Sequence, residues 1–492
     1  MSARANTTAS QAGAAQDATR TQVANLLSEL RLDLTERNLS ASARLDSLQQ
    51  LKVHGRKVGD AGPIFTAEGV HTLTGHGVDA NDDDPPSSLE ALRCLVNALI
   101  LAPATRQMLV DVGFAGKAAR RLQHADDDEE FLFSRLLFLL TYGTNLDLSG
   151  LIDQDGLASA INTNISRHAQ RYGDGNISDT STDDDSEAAT AEEEMALSET
   201  LTLLFNVTHF CPGRTSAFAP SMLPILAILS QHAIPSPPLQ RPITSLINAL
   251  INLDIEPPSA GEGDQTLAIP ELDQQLVTRR LIEILSQSIN DYPEQELDQT
   301  AAPLVTLLRK IYEMAPGPLQ SLLQAQLLPS DEERNQPLGK SDTLPSRLLR
   351  LTTSAMLPSL RDNLSALLFE LSNKDAETFV HNVGYGYASG YLMTHNLPIP
   401  DQALRDPSAR PPHTGGEASG SSSSSSAPIN PITGQRISAE EPVDLLEMTD
   451  EEKEREAERL FILFERLKKT GIIDVKNPVE QAIDEGRFEE LD

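Results

Sequence analysis

The stretch from residue 89 to residue 113 carries two short amphipathic helical patterns separated by Ala102-Pro103. Apolar residues recur at helical spacing in both halves, at Leu92, Leu95, Val96 and Leu99 and then at Met108, Leu109 and Val112. Gly113 stands where a helix C-cap glycine belongs. Because neither helix could bury its apolar stripe alone, the pair is typical of one unit of an α-solenoid.

Similar patterns recur along most of the chain. Apolar helical stretches are found at residues 26–34, 45–53, 131–141, 197–210, 245–253, 276–289, 302–314, 319–328, 347–371 and 379–392. They amount to roughly eight to ten helix pairs, with weak self-similarity over about 40–50 residues, which favours armadillo or HEAT units over shorter repeats. The pattern therefore predicts an all-α fold, an armadillo/HEAT-type α-solenoid superhelix over residues 21–400.

Other segments do not follow this pattern. Residues 1–20 are small and polar and are predicted to be disordered, and residues 58–88 read as a Gly-, Asp- and Pro-rich loop. An acidic insert at about 173–195 contains GDGNISDTSTDDDSEAATAEEE, which no core can use. Residues 401–447 are Pro-, Gly- and Ser-rich and read as a flexible linker before a C-terminal tail at 448–492.

The tail contains one clearly specified helix. Thr449 is a favourable N-cap residue, and Glu452 completes a capping box. The apolar residues that would form its binding side are Leu460, Phe461, Phe464 and Leu467. A helix specified this strongly behind a flexible linker is expected to dock on a partner.

Charge and composition narrow the class of protein. The formal net charge of −33 disfavours nucleic acid as a partner, because phosphate backbones would be repelled. Cys94 and Cys211 lie in apolar helical stretches and are expected to be buried, reduced thiols. The N-terminus lacks the apolar core of a signal peptide, and no apolar run is long enough to span a bilayer, so we expect a cytoplasmic protein without a transmembrane segment.

The sequence offers no recognisable catalytic constellation. It contains neither a G-x-x-x-x-G-K-[ST] loop nor a G-x-S-x-G elbow. Gly384, Gly386 and Gly390 do not follow a predicted strand, so close packing of helices explains these glycines better than a dinucleotide-binding loop does. His71 and His76 lack metal-ligand spacing. We therefore predict a protein that acts by binding, with no catalytic residues, metal or cofactor.

Two sets of polar residues are candidates for a partner-binding groove. One set is an asparagine series on or just after the helices, Asn97, Asn145, Asn206 and Asn248. These could pair with the backbone of a bound peptide, or they could be ordinary interhelical hydrogen-bonding residues. The other set is the basic residues Lys52, Arg56, Arg135, Arg347 and Arg350, which could grip carboxylates on a concave face or be plain surface charges.

The acidic insert has two interpretations as well. Ser181 and Thr182 precede Asp183–Asp185, and Thr190 precedes Glu192–Glu194. Such positions suit an acid-directed kinase, so the three hydroxyl residues are candidate phosphorylation sites. The alternative is a plain solvated loop.

Several stretches together resemble the synembryn ("resistance to inhibitors of cholinesterase") family, and fungal members in particular. They are ALRCLVNALIL (91–101), RLLFLLTYGTNLDL (135–148), LTLLFNVTHF (201–210), RLLRLTTSAMLPSLRDNLSALLFEL (347–371), VGYGYASGYLM (383–393), NPITG (430–434) and MTDEEKEREAERLFILFERL (448–467). The resemblance implies an armadillo/HEAT superhelix that binds α subunits of heterotrimeric G proteins, as a non-receptor guanine nucleotide exchange factor and a folding chaperone.

The resemblance also implies how the partner binds. The concave groove would take the α subunit's C-terminal helix, and the tail helix would reach its nucleotide-binding domain. Lys52, Arg56 and Arg135 fall where family members carry groove residues. Animal members have acidic phosphorylation sites shortly before NPxTG, whereas this chain is Gly/Ser-rich there, so phosphoregulation does not transfer by position.

The leading hypothesis is thus a monomeric protein that prefers the nucleotide-free α subunit and promotes exchange without covalent chemistry. Its partner would recruit it to the cell cortex or inner plasma membrane. The alternative is an adaptor or scaffold solenoid that binds basic or helical peptides and has no exchange activity.

Overall fold

The computed structural model describes residues 2–59, 61–79, 84–173, 190–253, 271–400, 429–440, 449, 455–459 and 461–462. They fall into two compact units, Met1–Arg436 and Ile437–Asp492. All regular elements of the described residues are helices, apart from one isolated β-bridge between Ile429 and Arg436. An all-α solenoid, as predicted from the apolar pattern, is confirmed.

The helices of the first unit follow one another with short connections. The first ten are α1 (Ser2–Glu36), α2 (Ala41–His54), α3 (Ala67–Thr74), α4 (Pro85–Leu101), α5 (Ala104–Asp111), α6 (Phe114–Leu122), α7 (Asp127–Leu140), α8 (Leu148–Asp153), α9 (Leu157–Gly173) and α10 (Ala191–Phe210). The next ten are α11 (Met222–Gln231), α12 (Ile243–Asn252), α13 (Glu271–Asp291), α14 (Glu294–Thr300), α15 (Ala302–Met314), α16 (Gly317–Leu327), α17 (Leu344–Leu351), α18 (Pro358–Leu371), α19 (Ala376–Val383) and α20 (Tyr385–Thr394).

These helices form two rows. The first row runs α2, α4, α7, α10, α12, α15 and α18, each helix packing on the next. The second row runs α6, α9, α11, α13, α16 and α17, and it packs against the first through pairs such as α9 with α10 and α16 with α18. Leu, Ile, Val and Ala fill the core between the rows, joined by a few fully buried aromatic rings such as Phe133 and Phe218. Each helix therefore buries its apolar stripe against its neighbours, as solenoid helices do.

Helices α4 and α5 have the form predicted for one repeat. Helix α4 ends at Leu101, and α5 begins at Ala104 after the break at Ala102-Pro103. Gly113 adopts a left-handed conformation with φ of +73°, as its position at the end of the pair predicted. The hydrophobic spacing in this part of the chain was enough to define both helices.

The structure of residues 58–88 differs from the predicted loop. A 3₁₀-helix at Gly62–Phe65, helix α3 and a π-turn at Gly75–Asp79 occupy most of it. His76 is buried there, with its Nε2 2.9 Å from the Leu30 carbonyl oxygen. The prediction was wrong because glycines were read as loop signals. Gly69 instead lets α3 lie against the 3₁₀-helix, since a Cβ there would overlap the carbonyl oxygens of Pro63 and Ile64.

The N-terminal helix is also longer than the sequence pattern predicted. Residues 1–20 were expected to be disordered, whereas α1 begins at Ser2. Alanine has the highest helix propensity, and the segment is Ala-rich and contains no proline, so nothing in it stops the helix. The apolar spacing predicted from Leu26 therefore marks the buried part of α1, which the structure extends back to Val23, and not the start of the helix.

Two further features bear on the predicted boundaries. Residues 174–189 of the acidic insert lie outside the described residues, and α10 begins directly after Thr190. Of the predicted linker, residues 429–436 are part of the first unit and pack on its end. The two cysteines carry free thiols: Cys94 is buried, which raises its pKa to about 12, and Cys211 is half-buried. No helix in the described ranges has both the length and the hydropathy required to cross a membrane.

Candidate partner-binding face

The candidate binding face is the side of the first row that no other helix of the described residues covers. On α4, α7 and α10, half-buried or exposed residues recur at helical spacing along this side, at Arg93, Asn97, Ile100, Phe131, Arg135, Phe138, Thr202, Phe205 and His209. We call this surface, with its continuation onto α12, α15 and α18, the row-one face. This face carries aromatic, amide and basic side chains, whereas the net charge of −33 would lead one to expect an acidic surface.

An aromatic cluster lies at the C-terminal ends of α7 and α10. The Phe138 and Tyr142 rings meet edge to face at 5.3 Å between centroids, and the Tyr142 and Phe210 rings do so at 6.2 Å. His209 continues the cluster, 5.1 Å from Phe210 and stacked on Phe205 at 6.2 Å. Tyr142 is 41% and Phe210 47% exposed. Exposed rings that pack on one another form a ready apolar surface for a partner.

The face continues from α10 towards α18 as an open groove of about 570 Å³. Phe205 and His209 line one side, Asn248 and Asn252 lie in the middle, and Thr306 of α15 lines the other side. Its lining mixes apolar side chains with amides and hydroxyls that can pair with a peptide backbone. The row-one face thus offers exposed aromatic rings at one end and, beside them, a mainly apolar groove with a few amides and hydroxyls.

The predicted basic residues serve first as bridges between neighbouring helices. Lys52 of α2 pairs with Glu90 of α4 at 2.5 Å, and Arg135 of α7 pairs with Glu199 of α10 at 2.9 Å. Arg56 is exposed and makes no ion pair within the described part of the chain. Sequence spacing could not show these acidic partners, because they lie on other helices.

Two of these carboxylates each receive two cations. Glu199, 3% exposed, accepts from Arg135 and from Arg241, both at 2.9 Å. Glu90 likewise pairs with Lys52 and with Arg93. Burial alone would raise the pKa of Glu90, but its bonds to the two cations hold it below the usual value. At Glu199 the second cation leaves a local positive charge on a strongly acidic chain, whereas Asp128, 3.5 Å from Arg93, balances the second cation at Glu90.

Arg347 and Arg350 do not join this group. Arg347 of α17 donates to the side chain of Asn290 on α13, in the second row. Arg350 donates to the carbonyl oxygens of Gly339 and Ser341, both at 2.8 Å. The structure therefore does not bring these two arginines together with Lys52 and Arg135 on the row-one face.

The four candidate asparagines differ in how far their side chains are buried. Asn206 is buried, accepts a 3.4 Å hydrogen bond from the Tyr142 hydroxyl and donates to the Thr141 hydroxyl at 2.8 Å. Asn145 is exposed and bonds to Gln107 through its backbone N–H and its side chain. Asn97 and Asn248 are half-buried on the row-one face. The structural interpretation thus applies to Asn206, while Asn97 and Asn248 stay candidates for ligand contact.

Asn97→Ala and Asn206→Ala test this division. We expect N206A to lower the free energy of unfolding by about 1–2 kcal/mol, because Thr141 and Tyr142 lose a buried partner. We expect N97A to change stability by less than about 0.5 kcal/mol and to weaken partner binding. Denaturant unfolding and affinity per folded molecule measure the two effects. A drop in stability without a drop in affinity for N97A would assign Asn97 to the scaffold.

A buried polar cluster lies between the rows and away from this face. The Glu130 carboxylate on α7 is fully buried and accepts from Arg167 and from the Thr200 hydroxyl at 2.6 Å, with His168 Nε2 3.1 Å away. Asp127, Glu130 and His168 could approach one metal ion, since their ligand atoms lie within 4.8 Å of one another. However, Arg167 donates to both carboxylates and already supplies a positive charge, so the cluster fits an ion-pair network better than a metal centre.

The remaining predicted residues lie at the edge of the described chain. Thr190 caps α10: its hydroxyl accepts from the Glu193 N–H, and the Glu193 carboxylate accepts from the Thr190 N–H. Ser181 and Thr182 lie outside the described residues, as do Leu460, Phe464 and Leu467. Of the tail, residues 455–459 and 461–462 are helical, and Phe461 is 36% exposed. The structure thus leaves Ser181 and Thr182 as candidates and gives Thr190 a capping role.

Sequence reasoning missed the aromatic cluster. Tyr142 and Phe210 both stand at the ends of apolar helical stretches, where each reads as one more core residue. The available signal was their position two or three residues past the last buried leucine or valine of the helix. Such a ring can only be exposed or pack on a neighbouring helix end, and here it does both.

Comparisons with known proteins agree on one family. The family model described as guanine nucleotide exchange factor synembryn, Ric8, matches residues 47–487. Chaperone Ric-8A of Xenopus laevis is 24% identical over 91% of this chain and 85% of its own length. The Synembryn-like chaperone of Schizosaccharomyces pombe is 29% identical over 60% of this chain. That match spans 56% of the fission yeast protein.

A solved structure of an engineered protein overlaps 72% of this chain at a TM-score of 0.30 and 14% identity, a likeness too weak to bear on the fold. The family model, by contrast, extends over the described helices from α2 onwards and into the tail. The chain therefore belongs to the Ric8 family of guanine nucleotide exchange factor synembryn proteins.

Proposed function

We propose that this protein binds α subunits of heterotrimeric G proteins and acts on them as an exchange factor and a folding chaperone. Membership of the Ric8 family supports the proposal, as do the chaperone names of its relatives from frog and fission yeast. In this proposal the protein has no covalent chemistry. It binds and stabilises the nucleotide-free state of its partner.

The observation that carries the proposal is the composition of the row-one face. Its exposed aromatic cluster lies on the same helices as the doubly paired Glu199, where Arg135 and Arg241 remain 34% and 60% exposed at their side chains. An amphipathic helix that ends in a carboxylate matches both features: its apolar stripe would lie on the rings, and its carboxylate would contact the arginines. The C-terminal helix of an α subunit is the ligand we propose.

Exchange then follows from thermodynamic linkage. If the protein binds the nucleotide-free α subunit more tightly than the GDP-bound one, GDP affinity must fall by the same factor in the complex. The same preference stabilises an open, incompletely folded α subunit by mass action, which is chaperone activity. The tail, in this proposal, contacts the nucleotide-binding domain and contributes mainly to the exchange step.

GDP release from a purified α subunit tests the proposal. We expect acceleration of release and a stable nucleotide-free complex. Deleting residues 448–492 should slow exchange more than it weakens binding of a peptide from the partner's C-terminus, because that peptide uses only the row-one face. Equal losses would argue against a separate role for the tail.

Two results would contradict the main claim. One is unchanged GDP release together with the absence of a nucleotide-free complex. The other is a pull-down from GDP-depleted extract that enriches basic targeting peptides instead of α subunits, which would favour the adaptor alternative.

A further inference from the structure

Residues 429–436, which we call the NPITG turn, form a compact loop of their own. The Asn430 side-chain oxygen accepts from the Ile432 N–H at 2.9 Å, and the Asn430 carbonyl accepts from the Gly434 N–H at 2.9 Å. The Asn430 N–H donates to the Gln435 carbonyl at 2.8 Å, next to the bridge between Ile429 and Arg436. These internal bonds hold the turn in one shape, which lowers the entropy cost of docking it.

The turn docks on the start of α20. The N–H of Tyr385 donates to the Pro431 carbonyl at 2.8 Å, and the N–H of Gly386 donates to the Ile432 carbonyl at 3.1 Å. These are the first two N–H groups of the helix, which have no partner inside it. The turn therefore caps α20 with backbone carbonyls, whereas the preceding helix α19 is capped by the Asp375 side chain.

A second strip of contacts comes from the chain before α17. The Leu338 N–H donates to the Thr433 carbonyl at 3.2 Å. Arg334 is only 4% exposed, and its guanidinium donates to the carbonyls of Gly434 at 3.1 Å and Asn382 at 3.2 Å. Without the turn this arginine would lose both a hydrogen-bond acceptor and its cover from water.

Two glycines make the fit specific in shape. Gly384 has φ of +81°, and a Cβ on it would lie 3.0 Å from the Ile432 carbonyl oxygen. Gly434 has φ of +68°, and a Cβ on it would overlap the Leu338 side chain. At both positions glycine is required, because it readily adopts a positive φ and has no Cβ to collide with the facing atoms. By contrast, the Ile432 side chain is exposed, so the third position of the motif is free to vary.

We infer that the end of the solenoid carries a binding site for an Asn-Pro-x-Thr-Gly turn, and that residues 429–436 of the same chain fill it. The turn is then the terminal cap of the repeat array. Solenoids need such caps because their last repeat has no following neighbour to pack on. The described chain on either side of residues 401–428 then belongs to the first unit, and the second unit begins at Ile437. A ligand tethered this closely binds at an effective concentration on the order of millimolar.

Hydrogen exchange on the full chain, read by mass spectrometry, tests the inference with Gly434→Ala. We expect exchange at least about tenfold faster in fragments that contain Leu338, Tyr385 and Gly386, whose N–H groups the turn covers. Fragments from α4 and α7 should exchange as in the unchanged chain. Gly390→Ala is the matched control, since that glycine lies in α20 with open space at its Cβ position and its exchange pattern should not change.

A synthetic peptide of residues 427–438 extends the test. Added in excess to the G434A chain, it should restore protection at those three amides, and so should its Ile432→Ala version. A peptide that itself carries Gly434→Ala should not restore it. Unchanged exchange at the three amides in G434A, or faster exchange throughout the chain without rescue by the peptide, would overturn the inference.

Discussion

Glu130→Ala should lower the free energy of unfolding by about 3–5 kcal/mol, the largest loss we expect from any single polar substitution in this chain. The carboxylate is fully buried and accepts from Arg167, from Thr200 and, across 3.1 Å, from His168. Removing it takes this acceptor from the buried Thr200 hydroxyl and the buried His168 ring, and leaves Arg167 with only Asp127 of its two carboxylate partners. Because α7, α9 and α10 meet at this residue, the loss would loosen the junction between the two rows.

Asp128→Ala is the matched control for E130A. Asp128 lies on the same helix, and its side chain is 53% exposed in a 3.5 Å pair with Arg93. Its removal should change stability by less than about 1 kcal/mol. Denaturant unfolding monitored by circular dichroism measures both variants. Equal midpoints for the two would show that the buried cluster contributes no more than a surface pair.

The same cluster gives a pH dependence with a defined sign. Burial alone would raise the pKa of Glu130, but the bonds to His168 and Thr200 and the charge of Arg167 hold it below its usual value. A carboxyl with a lowered pKa in the folded state stabilises the protein above its unfolded pKa. That stability is lost as pH falls through the folded value. The unchanged chain should therefore lose stability on acidification more steeply than Glu130→Gln.

Phe210→Ser should weaken partner binding about thirtyfold or more, the equivalent of about 2 kcal/mol, and should leave the fold intact. Phe210 is 47% exposed and packs on Tyr142 and His209, so its loss costs little core. A partner helix lying on the row-one face would lose its central aromatic contact. Affinity for a peptide from the α subunit's C-terminus, measured by titration calorimetry, gives the effect directly.

Met393→Ser is the control for F210S. Met393 is 61% exposed on α20, so the substitution removes a comparable apolar side chain from another part of the surface. Its affinity for the peptide should equal that of the unchanged chain. Equal weakening in both variants, or unchanged affinity in F210S, would show that the aromatic cluster is not where the ligand binds.

Local patterns predicted most of the fold, because each helix has its own apolar stripe and its own stop signals. The bounds of α15, Ala302–Met314, were predicted to the residue, and the break before α18 was placed at Pro358. Gly75 and Gly77 contributed to the wrong prediction of a loop over residues 58–88, because a glycine that permits close packing looks the same in sequence as a glycine in a loop. Gly77, for example, lies against Leu92 of α4.

The candidate site was predicted less well, because its meaning depends on residues far apart in the chain. Lys52 and Arg135 were identified, but their partners Glu90 and Glu199 belong to other helices. The same holds for the pairing of Gly384 with the NPITG turn, which joins two motifs that lie far apart in the sequence. Spacing within a helix shows which residues share a side of it, and it carries no information on what the next helix presents there.

The row arrangement has a mechanical consequence. Each helix of the first row packs on the next one in the row, and ion pairs such as Arg135 with Glu199 and Arg309 with Glu370 span neighbouring steps. A small rotation at each step adds up along the row, while each ion pair stretches only slightly. The array therefore behaves as an elastic element. We expect a ligand that spans several helices to bend the array, so that part of its binding free energy would be lost to that bending.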